Sequence, residues 1–478
     1  MINYTKKINT LRDRNEIRFL EGSIESDRGR ILSAPALRRL QNRTQVFALE
    51  LNASIRSRLT HSLEVAQSAR YIAKTILQKL ESDGLEKYHL EELQNGFVSI
   101  VEMASLLHDI GNPPFGHFAE QSINSWMRKN GVKILDSLYS ENTELKQKLI
   151  EDICNYDGNA QAIRIVTKLQ RLNLSYTQIA SILKYTRGAY ENKPSKSDGL
   201  YYIRKKPGFY YSEKDMVKKI CESLDMKVGH RFPLTYIMEA ADDISYLTAD
   251  IEDAVDKGIL RFEDIYTLIK KECEKENETY LLELINEFYD RVKKDEDEPY
   301  QFNMFLTLTR AKLIGSLVRH VSDVYIQNHE AIFDGSFSAA LLEYDQNSKY
   351  SKAIKILQNI SYKHIYQNKE VQNIELKGYA VINGLFEIYR PLLELSSEDF
   401  TKLVKEEPID CFISQRLIKR LSSKQIVAYI NDLKEIDKEH DEYILLEWYY
   451  RARLIVDYIS GMTDDFAFDE YKKLSAIV

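Results

Sequence analysis

Residues 97–120 read FVSIVEMASLLHDIGNPPFGHFAE, and this stretch decides how the rest of the chain is interpreted. Its first half is apolar with a helical period, which predicts a helix. That helix has to end before Pro113 and Pro114, because two consecutive prolines cannot continue it. His108 and Asp109 are therefore predicted to lie at a helix end.

Two further segments have the same period. Between residues 59 and 77, Leu63 is one of several apolar side chains that recur at spacings of three and four, which predicts one amphipathic helix. Another helix is predicted to begin near Pro233, a residue favoured in the first helical turn, and to end at Lys257 and Gly258. Similar patterns at 378–395 and 443–462 predict more helices toward the C-terminus.

The composition agrees with a helical protein. The 478 residues are 44% hydrophobic and 29% charged, with only 18 Gly and 9 Pro, which argues against a β-sandwich and against a disordered chain. The formal net charge of -7 would repel polyanions, so phosphate chemistry would depend on locally clustered Arg and Lys.

The cysteines and the apolar runs exclude several classes of protein. The four cysteines are widely separated and form no CxxC pair, so neither a disulfide framework nor a thiolate zinc site is expected. The N-terminus lacks the apolar stretch of a signal peptide, and no run of about 18 apolar residues occurs. We expect a cytoplasmic protein without a membrane partner.

The chain is predicted to comprise a catalytic core at residues 1–290 and a C-terminal helical region at 291–478 that packs on it. The charge run KKDEDEP at 293–299 would mark a soft boundary. The segment 188–213, rich in Tyr, Lys, Gly and Pro without periodicity, is predicted to form an ordered functional loop or a short hairpin.

Two imidazoles and two carboxylates carry the proposed chemistry. This ligand set suits a divalent first-row metal ion that keeps open positions for water and substrate. His61, His108 and Asp109 supply three of the ligands. The fourth is expected from Asp242 in EAADDISY, where acids flanked by apolar residues are costly to bury without a cation.

The order of these residues resembles the HD-domain superfamily, and longer strings across nearly the whole chain are similar to bacterial deoxyguanosine triphosphate triphosphohydrolases. The strings are LRRLQNRTQVFALELNASIRSRLTHSLEV, LLHDIGNPPFGHFAE, YDGNAQAIRI, LTYIMEAADDISYL and DYISGMTDDFAFDEY. The resemblance implies an all-α fold, with an HD-domain helical core and additional C-terminal helices. It also implies one divalent metal ion per subunit, with Mn²⁺ or Mg²⁺ expected.

The resemblance assigns further residues to the ligand and sugar sites. Asp243 is the alternative to Asp242 as the fourth metal ligand. We prefer Asp242, because Tyr246 and Asp250 then follow it at four and eight residues on one helical face. Tyr246 would lie under the deoxyribose and exclude a 2′-hydroxyl, and Asp250 would accept a hydrogen bond from the 3′-hydroxyl. In dinuclear relatives this region carries additional histidines that bind a second metal ion. Because this chain has Asn112 there, a site with a single metal ion is favoured.

His117 and Glu120 are three residues apart at the start of a helix, so that the carboxylate can orient the imidazole. In the family this pair lies by the α-phosphorus, which assigns proton transfer to His117 and support to Glu120. Whether His117 protonates the leaving 5′-oxygen or handles the attacking water stays open.

The resemblance also offers contacts for the triphosphate and the base. For the phosphates it gives Arg58, Asn159, Lys184, Tyr185 and Lys205. Lys206 is nearly as good a choice as Lys205, and Arg164 would hold either the loop or a phosphate. The sugar and guanine pocket is assigned to Gln45 and Val46, with a contribution from Glu375.

The resemblance implies hydrolysis of dGTP to deoxyguanosine and tripolyphosphate by attack of water at the α-phosphorus. One alternative is a broader dNTP triphosphohydrolase or another HD phosphohydrolase. An alternative of another class is a nucleotide-sensing or single-stranded-DNA-binding regulatory protein. The relatives also imply a homo-oligomer, with a hexamer among the sizes considered, and single-stranded DNA as a candidate partner.

Overall fold

The computed structural model describes residues 2–14, 19–50, 52–293, 298–434, 436–437 and 442–476. The helices of the first half are α1 Leu20–Leu32, α2 Pro35–Arg39, α3 Arg58–Glu81, α4 Gln94–Leu107, α5 His117–Trp126, α6 Val132–Leu138, α7 Glu144–Ile153, α8 Gly158–Arg164, α9 Tyr176–Ile182, α10 Tyr201–Arg204, α11 Lys214–Ser223 and α12 Pro233–Asp256. Those of the second half are α13 Phe262–Lys275, α14 Thr279–Val292, α15 Glu298–Gln327, α16 His329–Asp334, α17 Lys349–Ser361, α18 Lys369–Leu393, α19 Ser397–Val404, α20 Phe412–Leu417, α21 Ser423–Lys434, α22 Tyr443–Ser460 and α23 Asp464–Leu474. The all-α prediction is confirmed.

The other regular elements are short. Turns of 3-10 helix occur at Tyr4–Lys6, Leu40–Asn42, Leu85–Tyr88, Tyr211–Glu213 and Ile418–Arg420, and π turns at Met127–Gly131, Ile165–Leu169 and Tyr362–Tyr366. In the described ranges two strands, β1 Arg187–Gly188 and β2 Pro207–Phe209, form a small sheet. They pair in parallel, with α10 in the connection, so the segment 188–213 is ordered but is not a hairpin. No helix in the described part of the chain is both long and apolar enough to cross a membrane.

Helices α3, α4 and α12 pack against one another at the centre of the fold. Helix α3 is capped by Ser57, whose side chain accepts a hydrogen bond from the Thr60 N–H. Its buried face runs through His61 and Val65. Leu63, expected on the same face, is instead 55% exposed, because two residues correspond to about 200° around a helix. That part of the sequence prediction was wrong.

The ends of α4 and α12 agree with the sequence. Helix α4 ends with His108 as its C-cap, ahead of the two prolines. Helix α12 has Pro233 in its first turn and Lys257 as its C-cap, and Gly258 follows with a φ of +79°. A left-handed residue after a helix is the position that glycine occupies at least cost.

Two apolar clusters form the interior. The first unites side chains of α1, α3, α4, α9, α12, α15 and α17 and extends to Val371. The second unites α5, α6, α7, α18 and α22, and it includes Phe115 and Ala467. The chain passes from the first cluster to the second between His108 and His117. The domain division at 290/291 stays a prediction, and residues 294–297 of its charge run lie outside the described ranges.

Buried ion pairs fix α22 against the N-terminal half. The Arg164 guanidinium, 1% exposed, donates to Asp457 at 2.8 Å and to Glu213 at 3.1 Å. Arg453 donates to Asp152 at 2.6 Å, and both side chains are fully buried. Arg164 therefore holds α8 to α22 and to the turn before α11, and its interactions are structural rather than with a phosphate.

Replacing Arg164 with Ala should lower the free energy of unfolding by about 3–5 kcal/mol, because two buried carboxylates lose their counter-charge. Denaturant titration would measure the loss. Arg128→Ala is the matched control, since Arg128 forms an exposed pair with Glu151 at 3.7 Å, and its effect should stay below about 1 kcal/mol. Equal midpoints for the two variants would contradict this assignment.

Candidate metal and nucleotide site

Three donor atoms from the central helices converge on one point. Nε2 of His61 on α3 lies 3.2 Å from Oδ1 of Asp242 on α12. Nε2 of His108, at the end of α4, lies 3.4 Å from the same oxygen. Donor atoms about 2.1 Å from one metal ion are roughly 3.0 to 3.4 Å apart. Within the described ranges these three residues form the group able to hold a metal ion.

The tautomer of His108 fits metal binding. Its Nδ1 lies 2.7 Å from the carbonyl oxygen of Ser105, which requires the ring proton to be on Nδ1. In the neutral ring Nε2 then has a free lone pair, and it is buried without a hydrogen-bond partner in the described part of the chain. An orphaned imidazole nitrogen that faces a carboxylate is what a divalent cation requires.

Asp109 lies beside this group but its oxygens already have partners. Oδ2 accepts a hydrogen bond from Arg58 at 2.6 Å, and Oδ1 accepts one from the Asn112 amide at 2.5 Å. Oδ1 is also 3.5 Å from Nε2 of His108. Asp109 therefore lies against His108 but outside the converging group of three, and Arg58 and Asn112 fix its orientation.

The electrostatics keep both carboxylates ionised. Burial alone would raise the pKa of Asp109, but the neighbouring His108 and Arg58 lower it to about 2. Burial likewise opposes ionisation of Asp242, yet His108, His61 and Lys184 hold its pKa well below the usual range. The pair supplies negative charge for a cation at this point.

His117 and Glu120 form the predicted pair. Nδ1 of His117 lies 2.9 Å from Oε2 of Glu120, and Oε1 of Glu120 accepts a hydrogen bond from the Gly158 N–H at 2.8 Å. The Glu120 side chain is buried while the His117 ring is largely exposed. The hydrogen bond and charge of Glu120 raise the pKa of His117, which favours the protonated imidazole.

A cavity of about 280 Å³ opens beside His117 and Arg58. The predicted sugar and base residues Gln45, Val46 and Tyr246 line it. Its other lining residues are Thr44, Ala48, Phe115, Gly116, Phe118, Tyr366, Val371, Ile374 and Glu375. Oε1 of Gln45 is buried in the described structure without a donor, so this wall contains an unpaired acceptor.

Below the cavity, Tyr246 and Asp250 are joined through Tyr366. The Tyr366 hydroxyl donates to Asp250 and shares a second hydrogen bond with the Tyr246 hydroxyl. Burial raises the pKa of Asp250 to about 6. The predicted sugar-contacting residues therefore belong to one hydrogen-bonded chain.

A cationic cluster lies on the other side of Asp242. Lys184 Nζ is 3.8 Å from a carboxylate oxygen of Asp242 and from one of Glu239. Lys205 Nζ lies 3.9 Å above the Tyr202 ring and 6.0 Å from the Tyr185 ring centre. Burial, together with neighbouring cations, lowers the pKa of Lys205, although Glu239 opposes the shift.

The remaining predicted phosphate contacts are engaged within the loop before α8. The Asn159 amide donates to Asp157 at 2.7 Å, and Lys206 Nζ lies 3.9 Å from Asp157. Asn159 thus contributes to the cap of α8 in this structure.

Comparison with known proteins agrees with this geometry. The HD domain family matches residues 58–156, and the phosphohydrolase-associated domain family matches residues 413–473. The deoxyguanosinetriphosphate triphosphohydrolase of Salmonella typhimurium (strain LT2) is 43% identical over 474 residues, which cover 95% of this chain and 93% of the relative. The chain belongs to the deoxyguanosinetriphosphate triphosphohydrolase family.

Sequence reasoning missed several side chains in this triphosphohydrolase. Tyr366 lies in a π turn without any local signal that would single it out. Glu239 on α12 precedes Asp242 by nearly one turn and accepts hydrogen bonds from Arg231 at 2.5 Å and Tyr202 at 3.0 Å. The sequence shows the acidic run around Asp242. It does not indicate which basic residue pairs with each acid.

Replacing Glu120 with Gln should lower the pKa of His117 toward the ordinary value of about 6.5, because the carboxylate that stabilises the imidazolium is lost. Since a raised pKa keeps the ring protonated to higher pH, the variant should lose this proton at lower pH. NMR titration of the His117 ring proton would measure the change. An unchanged or higher pKa would contradict the pairing.

Proposed function

We propose that this protein hydrolyses dGTP to deoxyguanosine and tripolyphosphate by attack of water at the α-phosphorus. The observation that carries the proposal is the link between the His61, His108 and Asp242 group and the cavity: Asp109 lies beside His108 and accepts from Arg58, which lines the cavity together with His117 and Tyr246. The activity named for the Salmonella typhimurium relative supports the same substrate and bond.

The donors suit one divalent ion per subunit, held by His61, His108, Asp109 and Asp242, with Mn²⁺ or Mg²⁺ expected. Such an ion would neutralise charge on the α-phosphate and activate water. The protein's own contribution begins with Arg58, which borders the cavity and holds Asp109, so that its guanidinium also faces an incoming phosphate.

His117 is assigned proton transfer at the reacting centre. Its Nδ1 is bound to Glu120, which leaves Nε2 for the substrate. The raised pKa supports a proton donor, which protonates the 5′-oxygen as the nucleoside leaves. We assign to the outer phosphates the side chains of Lys184, Tyr185 and Lys205. Asn159 is also assigned a phosphate contact, which requires its amide to release the hydrogen bond to Asp157.

The Tyr246, Tyr366 and Asp250 chain is assigned to the deoxyribose. An aromatic ring under the sugar leaves no room for a 2′-hydroxyl, and Asp250 accepts from the 3′-hydroxyl. For the base, Gln45 and Glu375 supply acceptor oxygens, while Val46 supplies an apolar contact. Guanine carries N–H donors that adenine lacks at the same edge, so unpaired acceptors would penalise adenine.

The proposal includes the assembly and the location of the protein. We expect a homo-oligomer, with a hexamer among the candidate sizes, as in the family. We also expect a cytoplasmic location. Single-stranded DNA is retained as a candidate partner.

The purified protein, supplied with Mn²⁺ or Mg²⁺, should release tripolyphosphate and deoxyguanosine from dGTP, and product chromatography would measure both. Asp109→Ala should lower turnover by at least about a hundredfold, because the divalent ion loses a proposed carboxylate ligand and Arg58 loses the partner that orients it. Asp465→Asn is the control, since this acid is exposed on α23, and it should turn over at the wild-type rate.

A panel of the other dNTPs and GTP separates the alternatives. Equal turnover of all four dNTPs would replace the dGTPase assignment with a broad dNTP triphosphohydrolase. Release of pyrophosphate or orthophosphate instead of tripolyphosphate would indicate another HD phosphohydrolase. No turnover of any nucleotide, with DNA binding retained, would favour the regulatory protein.

A further inference from the structure

The segment 460–464, which spans the turn between α22 and α23, contacts two residues that line the nucleotide cavity, Thr44 and Phe115. Its last residue, Asp464, is 3% exposed and is the first residue of α23. One carboxylate oxygen, Oδ2, accepts from both the backbone N–H and the hydroxyl of Thr44, each at 3.1 Å. The other, Oδ1, accepts from the Phe115 N–H at 3.0 Å.

The two segments held by Asp464 have different tasks in the proposed reaction. Thr44 immediately precedes Gln45 and Val46, the wall assigned to sugar and base. Phe115 lies two residues before His117, the proposed proton donor. A single buried carboxylate therefore bridges the part of the cavity that recognises the nucleoside and the part that transfers the proton.

The Phe115 end of the bridge is conformationally demanding. Phe115 has a φ of +62°, a left-handed conformation that side-chain-bearing residues rarely adopt, and Gly116 follows with +68°. On the far side, a Cβ at Gly378 of α18 would come within 2.6 Å of the Phe115 Cβ, so glycine is needed for α18 to approach. The direction in which α5 presents His117 depends on this pair of residues.

Arg43 ties the same turn to the metal-binding loop. Its guanidinium donates to the carbonyl oxygens of Ser460 at 2.7 Å and Met462 at 2.6 Å, and also to the carbonyl of Asn112. Asn112 in turn donates to Asp109. The turn is thus fixed directly to Arg43, Thr44 and Phe115, and through Arg43 to Asn112, with Asp464 as its charged contact.

We propose that Asp464 is a positioning residue that couples recognition of the base to proton transfer by His117. The proposal rests on the function proposed above and deepens it. It assigns a role to the C-terminal region matched by the phosphohydrolase-associated domain: one carboxylate aligns the Thr44–Val46 wall with the Phe115–His117 loop, so a base seated correctly on the wall meets a correctly aimed imidazole.

Asp464→Asn tests the coupling. An amide offers one acceptor oxygen, so its NH₂ group must face either the Thr44 or the Phe115 N–H, and one segment loses its partner. Losing a hydrogen bond to a buried charge should lower kcat for dGTP by roughly tenfold to a hundredfold. The ratio of kcat/KM for dGTP over dATP should fall as well, which general destabilisation would not produce.

Asp465→Asn removes the same charge one residue away, where the side chain is exposed, and should leave kcat and the substrate ratio unchanged. Thermal unfolding establishes that both variants are folded at the assay temperature. If Asp464→Asn does not fold, Thr44→Val takes its place, because it removes only the hydroxyl contact. It should lower the ratio of kcat/KM for dGTP over dATP by a larger factor than it lowers kcat for dGTP.

Hydrogen exchange of the ligand-free protein, followed by mass spectrometry, tests the bridge without using activity. Asp464→Ala, which removes both acceptor oxygens, should raise exchange in both 43–48 and 113–118 relative to wild type and to Asp465→Ala. If wild type fails to hydrolyse dGTP while both segments respond, the proposed function is wrong and the bridge stands. A folded Asp464→Ala with wild-type exchange in either segment, or Asp464→Asn with an unchanged ratio of kcat/KM for dGTP over dATP, would overturn the coupling.

Discussion

The convergence of two imidazole nitrogens on one carboxylate oxygen constrains the rest of the structure. His61, His108 and Asp242 belong to three different helices, and their donor atoms lie within 4.8 Å of one another. Such a group is costly to bury without a cation, so the packing of α3, α4 and α12 has to place these atoms accurately. The apolar faces of the same helices form the first interior cluster and hold that placement.

The second cluster supplies what the metal group lacks. The chain leaves the first cluster after His108, turns through two prolines and enters α5 at His117, so the proposed proton donor and the candidate metal ligands are joined by one short loop. Within this loop, the Phe115 side chain packs in the second cluster and its N–H donates to Asp464 of α23. Glu120 holds the end of the loop through its contact with His117. The site therefore lies where the two clusters meet, and neither cluster would be sufficient alone.

The central features were predictable because they are local. A period of 3.6 residues identifies α3, α4 and α12, and the prolines place His108 at a helix end. Spacing likewise predicts the contact between His117 and Glu120. The contacts of Tyr366 with Tyr246 and of Asp464 with Thr44 were not predictable in this way, since they join residues more than 100 positions apart and depend on tertiary packing. Leu63 was misplaced because apolar character alone does not define the buried face.

The most direct test of the metal centre is anomalous diffraction from crystals soaked in Mn²⁺, with data collected at the manganese absorption edge. The structure predicts one peak per subunit, about 2.0 to 2.3 Å from Nε2 of His61, Nε2 of His108 and Oδ1 of Asp242. A peak bound to Asp243 instead, or none near the two histidines, would contradict the account.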